Sequence, residues 1–232
     1  MRVMIKKYLS ICSITLLCSA PLLQADDGDY HLGFRIAPRV STLGGGLEVA
    51  KGLTPWFGLR GGVNYFTWSY DGTESDIEYD LELELKSFGM FADFHPFKQA
   101  FRISAGFLIN GNEVTGKGKL TSGSSFDIGD NPYTSSDIKS LGFDLSYNTF
   151  APYLGIGFDT TFGDDDRWGF VFDLGILFSG AAEASFSYDT TLTGSALNTL
   201  KSNVDKEKED IQESLDDFEF WPVVSAGLVY QF

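Results

Sequence analysis

The sequence predicts an all-β protein, an eight-stranded antiparallel up-and-down transmembrane β-barrel with one amphipathic helix in its last long loop. Three observations predict it. Aromatic-rich segments alternate apolar with small or polar residues along most of the chain, the two-residue period of a strand with one greasy face. Tight connections alternate with long polar ones, as in barrels with short turns at one rim and long loops at the other. The chain ends on "SAGLVYQF", an alternating strand closed by the aromatic Phe232.

Before the first strand, "MRVMIKKYLSICSITLLCSAPLLQA" has a basic head, an interrupted apolar stretch and the small residue Ala25 ahead of "DDGD". This is the layout of a secretory signal peptide, residues 1–25, leaving 26–232 as one barrel domain. Both cysteines, Cys12 and Cys18, fall in that segment, so the exported chain is no disulfide-stapled scaffold. With 17 Lys+Arg against 32 Asp+Glu, the net charge is −15, which argues against a nucleic-acid partner. No later stretch approaches the ~18 consecutive apolar residues of a membrane helix, so any membrane crossing must use a closed barrel.

The strands are expected at 31–39, 43–52, 56–70, 76–94, 101–119, 141–161, 167–188 and 218–232. Reading residues 31–50 as one strand would give an odd count, which bacterial single-chain barrels disfavour. "RWGFVFDLGILFSG" sets Trp168, Phe170, Phe172, Leu174, Ile176 and Phe178 against Val171, Asp173, Gly175, Leu177 and Ser179. "APYLGIGFDT", "FRISAGFLING" and "WFGLRGGVNYF" repeat the scheme. Aromatics at strand ends, such as Tyr65, Trp168 and Tyr230, suit a girdle at the lipid boundary. The opposite face, rich in Gly, Ser and Ala, argues against a soluble barrel or sandwich, whose water-facing side carries long charged residues.

Two segments depart from the pattern. In "DIEYDLELELKSFGMFADF" the apolar set moves from odd positions, Ile77 to Leu85, to even ones, Phe88 to Phe94, which predicts a bulge near Lys86 or Ser87. In "SALNTLKSNVDKEKEDIQESLDDF", Leu197, Leu200, Val204, Ile211 and Leu215 recur at helical steps, giving a helix over about 196–216 with Ser195 as N-cap. Asp216 and Asp217 oppose the dipole at its C-terminal end. The helix stripe is compatible with capping the barrel, plugging it or binding a partner.

The strand phases turn Arg35, Arg39, Glu48, Arg60, Asp93, Arg102, Asp159 and Asp173 inward. Inside eight strands there is room for side chains and little else, so these four cations and four anions are expected to pair as an ionic core. A narrow gated channel using the same charges is the rival. Glu78, Asp80, Glu82 and Glu84 share one strand face, read as solvated because no ligand cage is legible. "DIGDN" lacks the spacing of a calcium loop. The two histidines, His31 and His95, make no constellation with a nucleophile, and His95 lies in the tight "FHPF" turn, where it helps close the connection. No catalytic, cofactor-binding or metal-binding residues are expected.

The ending, with Leu228, Tyr230 and Phe232, and the "APYLGIGF" strand resemble the small outer-membrane β-barrels of Gram-negative bacteria, of the opacity-protein and OmpA-transmembrane-domain type. The resemblance covers nearly the whole chain after residue 25 as a pattern. It implies an outer-membrane location, contact with lipid and lipopolysaccharide, and recognition of Leu228, Tyr230 and Phe232 by the barrel-assembly machinery. That family hosts adhesins, structural proteins, narrow channels and a few lipid-modifying enzymes, so the fold does not choose among them. A non-catalytic surface or envelope-integrity role is the first expectation, and a narrow solute channel the alternative.

Overall fold

A computed structural model describes residues 32–74, 77–120, 125–129 and 131–232. The expected signal segment and His31 lie outside the described residues. Thirteen strand segments and one helix are seen among those described: β1 Phe34–Ser41, β2 Gly44–Gly52, β3 Phe57–Glu74, β4 Ile77–Phe94, β5 Phe101–Asn110, β6 Glu113–Leu120, β7 Ser125–Ile128, β8 Asn131–Thr134, β9 Ile138–Ser146, β10 Phe150–Asp159, β11 Trp168–Phe178, β12 Glu183–Thr190, α1 Gly194–Leu215 and β13 Phe220–Gln231. Three of the eight expected strands are thus interrupted, giving β5 with β6, β9 with β10, and β11 with β12. The first expected strand and its neighbour are separate, joined by the turn at Thr42 and Leu43.

Pairing is antiparallel throughout, and it closes. β1 pairs with β2 on one side and β13 on the other, β13 with β11, β11 with β10, β10 with β5, and β5 with β4, which returns through β3 to β2. Closure leaves no strand edge in the bilayer, the condition for crossing it with strands. An exposed apolar band surrounds the wall, including Leu59, Val63, Met90, Ile103, Leu154, Ile156, Phe170, Leu174 and Leu228. At the short-turn rim Trp168 and Tyr230 meet edge to face at 4.9 Å, as do Tyr230 and Phe232, forming part of the aromatic girdle of a transmembrane barrel.

Above the membrane only part of the wall continues. β12, β9, β6, β4 and β3 rise as a five-stranded extension, while β1, β2 and β13 stop lower. The expected bulge is absent. The β3–β4 ladder runs unbroken from Phe57 opposite Phe94 to Glu74 opposite Ile77, and odd positions of β4 face inward along its whole length. What changes near Lys86 is the solvent. Below it the outward residues Phe88, Met90 and Phe94 are apolar and exposed, as on the lipid-facing band of a barrel; above it the outward residues are Glu78, Asp80, Glu82 and Glu84, and the apolar side chains turn inward. A one-residue shift does occur elsewhere, where Ser179–Ala182 separates β11 from β12 and Gly180 adopts φ +68; there the even positions change from outward to inward.

The inward face of the extension carries a second core. Leu200 and Val204 of α1 are buried with Ile128, Tyr133 and Ile138, and Leu141, Phe186, Tyr188 and Leu192 pack against them. Asn203 donates to the side-chain oxygens of Asn131 and Tyr133, each at 3.0 Å. Gln212 spans the start of β12, donating to the Ala182 carbonyl and accepting from the Ala184 N–H. The helix starts earlier than expected: Thr193, not Ser195, is the N-cap, and no side chain caps it. Ser195 already lies in the first turn, where its carbonyl accepts from the Thr199 hydroxyl.

Candidate functional site: an ionic core inside the barrel

All eight inward charges of the sequence reading meet in one network. β1 supplies Arg35 and Arg39, β2 Glu48, β3 Arg60, β4 Asp93, β5 Arg102, β10 Asp159 and β11 Asp173. Asp173 is the hub: Arg102 Nη2 lies 2.9 Å from one of its oxygens and 3.0 Å from the other, Arg60 Nη1 is at 3.5 Å, and Arg39 also bonds to it. Arg60 reaches Glu48 at 2.8 Å and Asp93 at 2.7 Å. Arg39 pairs with the same Glu48 oxygen. Arg35 donates to Asp159 at 2.6 Å, and Arg102 lies 3.5 Å from that carboxylate.

Seven of the eight are buried; Arg39 is half-buried. Isolated charges there would each cost several kcal/mol, and the mutual pairing with its added hydrogen bonds offsets that cost. Several of those bonds come from residues the sequence reading passed over. Ser104 donates to Asp93 at 2.6 Å, and Thr161 donates to Asp159 through both its N–H and its hydroxyl. Ser225 of β13 accepts from Arg39 and completes a ring to which every wall of the barrel contributes. Ser104 sits two residues from Arg102 and shares its phase, a signal the alternation contains. Ser225 shares the inward phase of Gly227 in the same way.

Apolar layers lie on both sides of the network. Toward the long loops, Leu43, Leu108, Tyr153, Leu177 and Val223 are buried together, with Phe91 and Trp221 against them. Toward the short turns, His95 stacks flat on Phe162 at 3.4 Å, and the Arg35 guanidinium lies over the same Phe162 ring. His95 closes its turn as expected: its N–H donates to the Trp56 carbonyl and its Nδ1 to the Gln99 carbonyl at 2.8 Å. Burial pushes the imidazole down to about 4, so the ring is neutral, and its Nε2 has no hydrogen-bond partner among the described residues.

A cavity of about 40 Å³ remains beside Arg39, Glu48, Asn64 and Tyr153, enough for a few waters. The acidic stripe of β4 faces solvent, with Lys119 and Lys117 of β6 directly opposite Glu78 and Asp80. Among the described residues no group of three or more His, Cys, Asp or Glu is placed to hold a metal ion. Leu228 and Phe232 are exposed on the outward face. The Phe232 N–H bonds to the Phe34 carbonyl, fastening the last residue to the first strand.

The fold has solved counterparts. The chain is similar to the crystal structures of Acinetobacter baumannii CarO2 (23% identity, TM-score 0.54, covering 87% of this chain and 99% of that one) and CarO (21%, 0.55, 88% and 100%). It has the fold of the CarO barrels. No family model matches the sequence, and no curated protein matches it. The likeness extends over 99% and 100% of the two CarO chains.

Proposed function

We propose that this chain is a non-conducting, non-catalytic outer-membrane barrel of a Gram-negative bacterium that presents a folded acidic cap at the cell surface, in surface interaction or envelope integrity. The observation that carries this reading is the filled bore. Eight charged side chains from seven strands, closed by Ser225 from the eighth, occupy the middle of the barrel, and the cavity beside them measures about 40 Å³. The exposed outward face of the extension, with Glu78, Asp80, Glu82 and Glu84, supports an outer surface adapted to water. The cap helix packs on the extension and lines no part of that cavity, which favours a lid-like or partner-binding role over a plug.

A lipid-modifying activity is disfavoured by His95, the one described histidine, which is buried at the short-turn rim with its Nδ1 committed to a backbone carbonyl. The barrel is of the opacity-protein and OmpA-transmembrane-domain type, a reading that the closed bore supports. Leu228, Tyr230 and Phe232 are recognised by the barrel-assembly machinery, and the apolar band contacts lipid and lipopolysaccharide. The second reading, a narrow channel for small solutes, is favoured by one observation: Arg39, the least buried of the eight, borders the cavity.

Planar-bilayer recording distinguishes the two. The wild-type barrel is expected to show no stable unitary steps, and neither Arg60→Ala nor Arg102→Ala should alter that baseline in proportion to a pore. Regular single-channel steps in the wild type, changed in size or ion selectivity by either variant, would establish the channel instead.

A further inference from the structure

Above Tyr65 the wall of the extension has an open edge. β2 follows β3 only as far as Gly45 opposite Tyr65, whereas β3 continues to Glu74. Among the described residues no strand lies against its outer side from Phe66 to Glu74. Half of the backbone N–H and C=O groups there point away from β4. Natural sheets guard such edges with lysine, proline, bulges or short strands. "FTWSYDGTE" has no lysine or proline, and its ladder to β4 is regular.

The two faces of this edge differ in a way that selects an occupant. Inward, Phe66, Trp68 and Tyr70 are 43%, 50% and 50% exposed. The Trp68 and Tyr70 rings stack at 6.0 Å, and Tyr70 lies over Gly72. Outward, the residues are short or acidic: Thr67, Ser69, Asp71 and Thr73. Directly behind them on β4 stand Glu84, Glu82, Asp80 and Glu78, an acidic stripe that Lys86, bonded to Glu84, and Lys117 and Lys119, opposite Asp80 and Glu78 on β6, offset only in part. A strand added beside β3 would lie about 10 Å from those carboxylates, a gap that a Lys or Arg side chain and a Glu side chain span together across the short Ser and Thr.

We propose that the Phe66–Glu74 edge docks an extended cationic peptide segment of another molecule, which adds as a strand with apolar residues over Phe66, Trp68 and Tyr70 and alternate Lys or Arg residues toward the β4 carboxylates. Main-chain bonds supply affinity and the alternating side chains specificity. A second copy of this chain fits less well. Two copies in one membrane both send β3 away from the bilayer, so their edges meet only in parallel, with Asp71 beside Asp71. The inference deepens the surface-interaction reading, and it is tested by binding to purified protein, independently of conductance.

The probes are three labelled peptides as long as the edge: alternating Lys and Val, alternating Glu and Val, and a block sequence with the composition of the first. Binding to the folded full-length barrel in detergent is read by fluorescence anisotropy, and strand addition by the infrared amide I band of a carbonyl-labelled peptide. The alternating cationic peptide should bind at least about tenfold more tightly than either control, with weakening by salt. Trp68→Ala with Tyr70→Ala should remove that advantage. Ser69→Lys, which leaves the aromatic stripe intact, should do the same, and Glu82→Gln should weaken binding while reducing its salt dependence. Equal binding of the block peptide, or unchanged binding to both edge variants, would overturn the proposal. A Ser69→Cys barrel that forms disulfide dimers without peptide would assign the edge to self-association and overturn it equally.

Discussion

Arg102 and Asp173 clasp each other across Gly157. The three residues occupy one rung of the wall, with Gly157 of β10 opposite Arg102 of β5 on one side and Asp173 of β11 on the other. A Cβ at Gly157 would stand 2.2 Å from an Asp173 oxygen and 2.7 Å from the Phe172 carbonyl. The missing side chain is therefore the passage through which the guanidinium reaches its partner. Gly157→Ala should push Asp173 off Arg102 and cost about 2–4 kcal/mol, within the range for a disturbed buried ion pair. The check is the urea midpoint of the detergent-folded barrel, with Gly58→Ala, whose Cβ would meet nothing nearer than 3.4 Å, as the milder comparison.

His95 gives the fold a specific acid sensitivity. Its imidazole, held neutral by burial down to about 4, has an ordinary value of 6.5. Between those values the unfolded chain binds more protons than the folded one, so this residue's contribution to stability is intact above about pH 6.5. It declines as pH falls to about 4, by roughly 3 kcal/mol in all. Unfolding midpoints of wild type and His95→Asn across that window test the sign: the gap between them should close or reverse toward acid. A constant gap would show that the ring does not titrate there.

Leu200 is the fully buried anchor of the cap. Leu200→Asp should release α1 from the hairpin of β7 and β8 while leaving the closed barrel intact. Limited trypsin digestion read by mass spectrometry should show new cleavage after Lys201, Lys206 or Lys208. Heat-modifiable gel migration, which reports the barrel, should stay unchanged.

Phe232→Ala removes the last aromatic of the closing strand, whose edge-to-face contact with Tyr230 is at 4.9 Å. If this ending is an assembly signal, the amount of folded barrel in the outer membrane should fall severalfold while refolding from urea in detergent is barely affected. Equal losses in both would make Phe232 a packing residue alone.

Much of this was legible in the sequence, for a physical reason. The two-residue period is a direct image of the pleat, so the inward phase of Arg60, Arg102 or Asp173 follows from its apolar neighbours. Their mutual contacts depend instead on gaps such as Gly157, and a glycine within a strand does not announce which side chain will fill its space. The switch in β4 suggests a bulge from the sequence alone because a change in apolar phase has two causes, a slipped register or a change of solvent, and alternation does not separate them. The paired lengths do: β3 and β4 are both 18 residues, far longer than the ~9–11 that cross the apolar band. The cap helix was visible from its spacing. Its seat was not, because Ile128, Tyr133 and Phe186 come from three separate segments.

The phase switch in β4 also fixes the height at which the barrel floats. Sinking would drag Lys86 and Glu84, linked at 2.8 Å, toward hydrocarbon; rising would lift Phe88 and Met90 into water. Because the strand is rigidly laddered to β3 on one side and to β5 and β6 on the other, neither displacement can be relieved locally. The whole protein must move at once against opposing penalties. One uninterrupted strand thus sets the vertical position of everything fused to it, the cap and the open edge of β3 included.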